Sequence, residues 1–249
     1  MLKSPAQKII TAFAVLLFSV CSLLAVQPGD VIINEVYFNT KNETNILEAV
    51  ELLVVKDKLD LNGLQITDRG VWNKATEDQC TLNDLGQGFL NEVSSGVIVV
   101  IYNGGGEDDT DASDFVLRFY AKSSLFCNVA PTTNAFRLND RGDNLHLLHL
   151  GKQIDFLKYR AADFSKQGSG EPGSLNWQNG ANGFIEIGKE DENCGFHFLG
   201  DKADLNDYPA AWQPYPETYL EKNNLGKPSD GRNAEWVKQL RASSKGKDK

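Results

Sequence analysis

Clustered carboxylates and a few scattered imidazoles are the residues of this sequence that could do chemistry. The densest cluster is Glu107-Asp108-Asp109-Thr110-Asp111-Ala112-Ser113-Asp114, which follows the run Asn103-Gly104-Gly105-Gly106. Ca2+ takes about six to eight oxygens, and carboxylates on a Gly-rich loop could supply several of them. Glu107, Asp108, Asp109, Asp111 and Asp114 are thus candidate ligands of a weak Ca2+ site, and no other cofactor is suggested. The pattern is not an EF-hand: counted from Asp109, the sixth position is Asp114 where Gly is required, and the twelfth is Tyr120 where Glu is required. The competing account is solvated loop charge.

Glu35 and Glu51 form a second pair. Each interrupts an apolar run, and a carboxylate inside a strand is costly unless it is paired or exposed. If the two strands pair, both would converge on one edge of a sheet with Asp68. Hydrogen bonding to loop backbone is the expected role ahead of metal binding. His146 and His149 lie three apart on a strand-like run, so they would point to opposite faces and could not share a metal. They are expected to sit half-exposed. His197 is left as the imidazole that could join carboxylates in a metal-dependent hydrolase. No H-E-x-x-H, G-x-S-x-G or P-loop pattern is present, so the sequence favours a non-enzyme.

Trp72, Trp177 and Trp212 fall in loop-like regions, where an exposed ring could bind a glycan or a partner protein and a buried one would plug the end of a sandwich. Cys80, Cys127 and Cys194 follow the N-terminal region. Their spacing matches no zinc site. Cys80–Cys127 is the preferred disulfide, because both lie in loop-like segments between strands, but other pairings stay open.

The elements that must position these residues are short strands. VIINEVYF (31–38), LEAVELLVV (47–55), LNGLQITD (61–68), DFVLRFY (114–120), NLHLLHL (144–150) and QIDFLKY (153–159) carry period-two or β-rich patterns. GVIVVIY (96–102) is apolar on both faces, as a doubly covered strand would be. Turn residues separate the runs. Arg141-Gly142-Asp143 falls at one expected reversal and Leu150-Gly151 at the next, so the tripeptide has a structural reason to be there without an adhesion role. FIEIG (184–188) reads as a short strand, and WQPYPETY (212–219) as a segment packed outside the sandwich.

The N-terminus differs in kind. Lys3 and Lys8 precede the apolar run 9–26, IITAFAVLLFSVCSLLAV, with a small residue at Ala25. This is the pattern of a secretory signal peptide over residues 1–25. An uncleaved anchor is the alternative, since 18 apolar residues reach spanning length. Lipid modification at Cys21 fits less well, because Val20 stands where a smaller residue is wanted. No later segment could span a membrane. The chain carries −9 overall, and −11 without the two N-terminal lysines. Residues 234–249 are basic and read as a disordered tail, which leaves an acidic body that repels phosphate backbones and argues against nucleic acid as a partner.

The order of segments resembles a lamin-tail domain. The resemblance rests on GDVIINEV (29–36), EAVELLVV (48–55) with Glu51 near its centre, DLNGLQITD (60–68), and the meander LNDRGDNLHLLHLGKQIDFLKY (138–159). FIEIG with Glu186, Trp212, and GKPSDGRN (226–233) with Asn233 extend it more weakly. The chain departs from the pattern at inserts over 73–90 and 121–134 and at the loop 160–183. The resemblance implies an all-β, immunoglobulin-like β-sandwich of lamin-tail type with long loop insertions over residues 29–233. It also implies a non-catalytic interaction module. The expectation is an exported binding or structural module at the cell surface or outside the cell, engaging a protein or glycan.

Overall fold

The computed structural model describes residues 25–38, 46–68, 78–104, 107–121, 123, 127–128, 138, 142–160, 185–186, 195–215 and 225–246. Their architecture is two six-stranded sheets and one α-helix. The strands are β1 (Val31–Tyr37), β2 (Ile46–Val54), β3 (Leu64–Asp68), β4 (Asp78–Leu82), β5 (Ile98–Gly104), β6 (Val116–Tyr120), β7 (Cys127–Asn128), β8 (Gly142–His149), β9 (Lys152–Arg160), β10 (Ile185–Glu186), β11 (Gly195–Phe198) and β12 (Trp212–Tyr215). The helix α1 is Arg232–Lys245.

The first sheet runs β12-β11-β1-β2-β5-β6 and the second β10-β9-β8-β3-β4-β7. All pairings are antiparallel except β5 with β6 and β9 with β10. The sheets share one hydrophobic core. Tyr159 of β9 stacks on Phe38 at 5.3 Å between ring centroids and meets Phe196 of β11 at 4.9 Å, which fixes the inward face of the first sheet. In register with Phe196 on that face lie Val36, Val50, Ile101 and Phe119. Asp155 of β9 adds a polar tie. Its carboxylate accepts the Ile33 amide at 2.7 Å, beside the bulge that inserts Asn34 into β1, and a second bond from the Asn206 side chain.

Residues 97–102 are all buried, as a strand covered on both faces requires. One cover is the second sheet; the other is the C-terminal segment, whose helix corrects the expectation of a disordered tail. Its inward positions Asn233, Trp236, Val237, Leu240, Arg241 and Ser244 repeat at helical spacing. Asn233, Arg241 and Ser244 are polar, so the stripe is faint in the sequence. The Leu240 carbonyl accepts the Ser95 hydroxyl at 3.1 Å, and Arg241 Nε donates to the Gly96 carbonyl at 2.9 Å. Gly96 has φ +83°, and a Cβ there would lie 2.5 Å from Arg241 Cγ, so helix and turn meet in contact that excludes a side chain.

Other expectations shift. The insert at 73–90 contains β4, and that at 121–134 contains β7. The segment at 212 is an edge strand of the first sheet, where hydrogen bonding to β11 absorbs it. Gly142 and Asp143 lie inside β8, with Asp143 opposite Tyr159 rather than at a turn; Arg141 lies outside the described residues. Asp68 pairs with Leu145 in the second sheet and does not join Glu35 and Glu51.

Candidate functional site

The polar chemistry of the described residues concentrates on the outward face of the first sheet. Strand register places Gln213, His197, Glu35, Glu51, Val100 and Arg118 in one row across all six strands. Glu51 is fully buried, Glu35 is 1% exposed and His197 4%. The carboxyls therefore face each other in the middle of the sheet, and not at its edge.

The C-terminal segment closes over this row. Glu51 Oε1 accepts the Gly226 amide at 2.7 Å, and Arg118 Nη2 donates to the Leu225 carbonyl at 3.0 Å. Gly226 takes φ +84°, and a Cβ on it would stand 2.5 Å from Arg118 Nη2. No other residue type lets the backbone reach Glu51 this closely. One step further, Asn233 Nδ2 donates to Asn34 Oδ1 at 3.0 Å, and Asn233 Oδ1 accepts the Ser229 amide at 3.0 Å. Hydrogen bonding of a strand glutamate to loop backbone is as expected from the sequence; that the loop lies 175 residues away was not legible there.

Glu51 Oε2 is buried and accepts no hydrogen bond. Burial, and then the neighbouring Glu35 carboxylate, push the Glu51 carboxyl well above its ordinary value; the Gly226 amide, Arg118 and Asn34 pull the other way without prevailing. An ionised Glu51 would set its charge against the Glu35 carboxylate across the β1–β2 register. Burial likewise lowers His197, against a smaller opposing pull from Asp230. The surroundings therefore favour the neutral form of both the Glu51 carboxyl and the His197 imidazole. Residues 225–233 bond directly to Glu51, Arg118 and Asn34 on this face.

The acidic loop lies along the edge strand β6. The backbone N–H groups of β6 that point away from β5 belong to Val116, Arg118 and Tyr120. Each has an acceptor in this loop: Asp114 Oδ1 at 2.9 Å, the Asp109 carbonyl at 2.9 Å and Asp108 Oδ1 at 2.6 Å. Asp109 Oδ1 accepts the Asp111 amide, and Asp111 Oδ1 caps the 3-10 turn Ala112–Asp114 by accepting from Ser113. The Glu107 carbonyl accepts the Tyr102 hydroxyl at 2.8 Å. Four of the five expected Ca2+ ligands, Asp108, Asp109, Asp111 and Asp114, thus accept separate backbone amides through their carboxylates, and no group of three or more His, Cys, Asp or Glu that could hold a metal occurs among the described residues. The loop blunts an edge strand.

Trp212 is not an exposed platform. It is buried between Phe196 and Phe198, and its Nε1 donates to the Asn206 carbonyl at 2.9 Å. Trp72 and Trp177 lie outside the described residues. His146 and His149 are buried, not half-exposed. His146 packs on Phe156 and bonds Gln153; His149 lies between the Val26 amide and the Asn62 carbonyl. Cys80 is buried and disulfide-bonded, on a strand and not in a loop. Cys127 stands opposite Leu82 on the neighbouring strand, and Cys194 and Cys21 lie outside the described residues. No helix among the described residues is long and apolar enough to cross a membrane.

No family model matches the chain, and no curated protein is significantly similar to it. The class defined by the fold is a two-sheet, mainly β protein with a buried polar row sealed by its own C-terminus.

Proposed function

We propose that this protein is an exported, non-catalytic binding or structural module of the lamin-tail type, an immunoglobulin-like sandwich that engages a protein or glycan through its loops. The observation that carries the reading is the sealing of the row His197–Glu35–Glu51. Within the carboxylate–imidazole set best suited to catalysis, Glu51 is taken up in holding the Gly226 amide. Glycan and extracellular-protein arrays probed with the secreted chain test this. A ligand bound equally by the parent and by Glu51→Gln is expected. Turnover of an ester, phosphodiester or glycoside that Glu51→Gln abolishes would establish the hydrolase instead.

Export is supported by the signal-like residues 1–25 and by the disulfide at Cys80, a bond typical of oxidising compartments. The proposed partner is Cys127, since β7 lies beside β4; peptide mapping that joined Cys80 to Cys194 or Cys21 would reverse the pairing. Ala25 and Val26 are buried in the fold, and the Ala25 carbonyl accepts from the Gln27 side chain.

A further inference from the structure

Two exposed leucines at one end of the sandwich have no reward within the fold. Leu150 is 69% exposed at the tip of the β8–β9 hairpin with φ +51°, and Leu85 is 56% exposed with φ +51° in the loop after β4. A Cβ-bearing residue such as Leu costs about 1–2 kcal/mol in this left-handed region, where Asn, Asp or Gly would be easier. Exposure of an apolar side chain adds nothing to compensate. Lys58, Glu92 and Phe115 share this backbone region, so it is its combination with an exposed apolar side chain at Leu85 and Leu150 that points to a contact made outside the chain.

A chain of hydrogen bonds through Asn62 links the two turns. His149, next to Leu150, bonds through Nε2 to the Asn62 carbonyl at 3.2 Å, and Asn62 Oδ1 accepts the amide of Asp84, next to Leu85, at 3.0 Å. The N-terminus arrives at the same place: the Val26 amide donates to His149 Nδ1 at 3.1 Å. Immediately upstream the sequence is the apolar run beginning at Ile9, with Lys3 and Lys8 before it. The segment that enters the fold beside Leu150 is thus the one part of the chain composed for lipid.

We infer that this end of the sandwich rests on a lipid bilayer, with Leu85 and Leu150 inserted at its surface beside the entry of the apolar run. The inference rests on the exported, cell-envelope reading only in supplying a membrane; it takes the N-terminal segment as retained, and the test needs no export. The full chain is reconstituted into phosphatidylcholine vesicles carrying a tagged lipid. A benzophenone amino acid is placed in turn at positions 85 and 150, at Lys152 beside the turn, and at Glu107 beyond the opposite end of β5. Lipid adducts at 85, 150 and 152 at least about fivefold above those at 107 are expected. With the probe at 152, Leu85→Asn together with Leu150→Asn should lower the lipid adduct at least about threefold. The doubly substituted chain should melt no lower than the parent, because Asn suits both backbones. Adducts no higher than at 107, adducts to residues 1–24 or to a second copy in place of lipid, or no change on the double substitution would each overturn the inference. Failure of export in a secretion assay, with lipid adducts intact, would remove the proposed function alone.

Discussion

At the scale of the residue, Glu51 decides how the C-terminus is held. Its carboxyl sits well above its ordinary value because burial and then Glu35 disfavour the charge. The folded state keeps a proton that the unfolded chain releases. The stability this contributes is therefore full below the unfolded value of about 4.3 and is lost as pH rises through the folded value. Glu51→Gln retains an acceptor for the Gly226 amide and needs no proton. The variant is expected to unfold at a higher urea concentration than the parent at pH 8, by on the order of 1 kcal/mol, with the gap closing towards pH 4. Urea midpoints across that range measure it, and a variant weaker than the parent at pH 8 would mean that the site holds an anion. In the sequence the two glutamates were visible as interruptions of apolar runs. Their mutual contact was not, because it needs the β1–β2 register, which the extra residue Asn34 sets.

At the scale of the element, the acidic loop and β6 explain each other. An edge strand offers a row of unpaired N–H groups to any other strand, and here three successive outward amides are taken by Asp114, Asp109 and Asp108. Asp108→Ala with Asp114→Ala would uncover two of them. Light scattering should then show association growing with protein concentration, with a stability loss of about 1–3 kcal/mol. Asp108→Asn with Asp114→Asn keeps the Oδ1 acceptors and should stay monodisperse; if both pairs behave alike, the loop does not guard the edge. Strands whose apolar residues alternate, such as β2 and β6, could be read from the sequence. DQCTL and GFHF could not, because β4 is five residues long with only Cys80 and Leu82 apolar and β11 is four residues long, so both are too short for a countable period. The stripe of α1 was hidden for a related reason, since Asn233, Arg241 and Ser244 face inward to bond backbone and side chains rather than to fill a core.

At the scale of the whole molecule, the row from His197 to Arg118 makes the pH response of stability a property of the assembled first sheet, because each of its members comes from a different strand. His197, lowered by burial against the pull of Asp230, is pushed towards its neutral form. Its contribution is present above the unfolded value of about 6.5 and is lost as pH falls through the folded value. This runs against Glu51, whose contribution grows on acidification, so the two slopes partly cancel in the parent. His197→Gln should leave stability falling steadily as pH rises from about 4.3. Glu51→Gln should leave it falling steadily on acidification below about 6.5. The two residues flank Glu35 in register, one on either side, so the changes are expected not to add. A double-mutant cycle at pH 6 should show a coupling of at least about 0.5 kcal/mol. Additivity within error at every pH would mean that the carboxyl pair and the imidazole titrate as strangers, and the closed row would then be three separate accommodations of buried charge with no common behaviour.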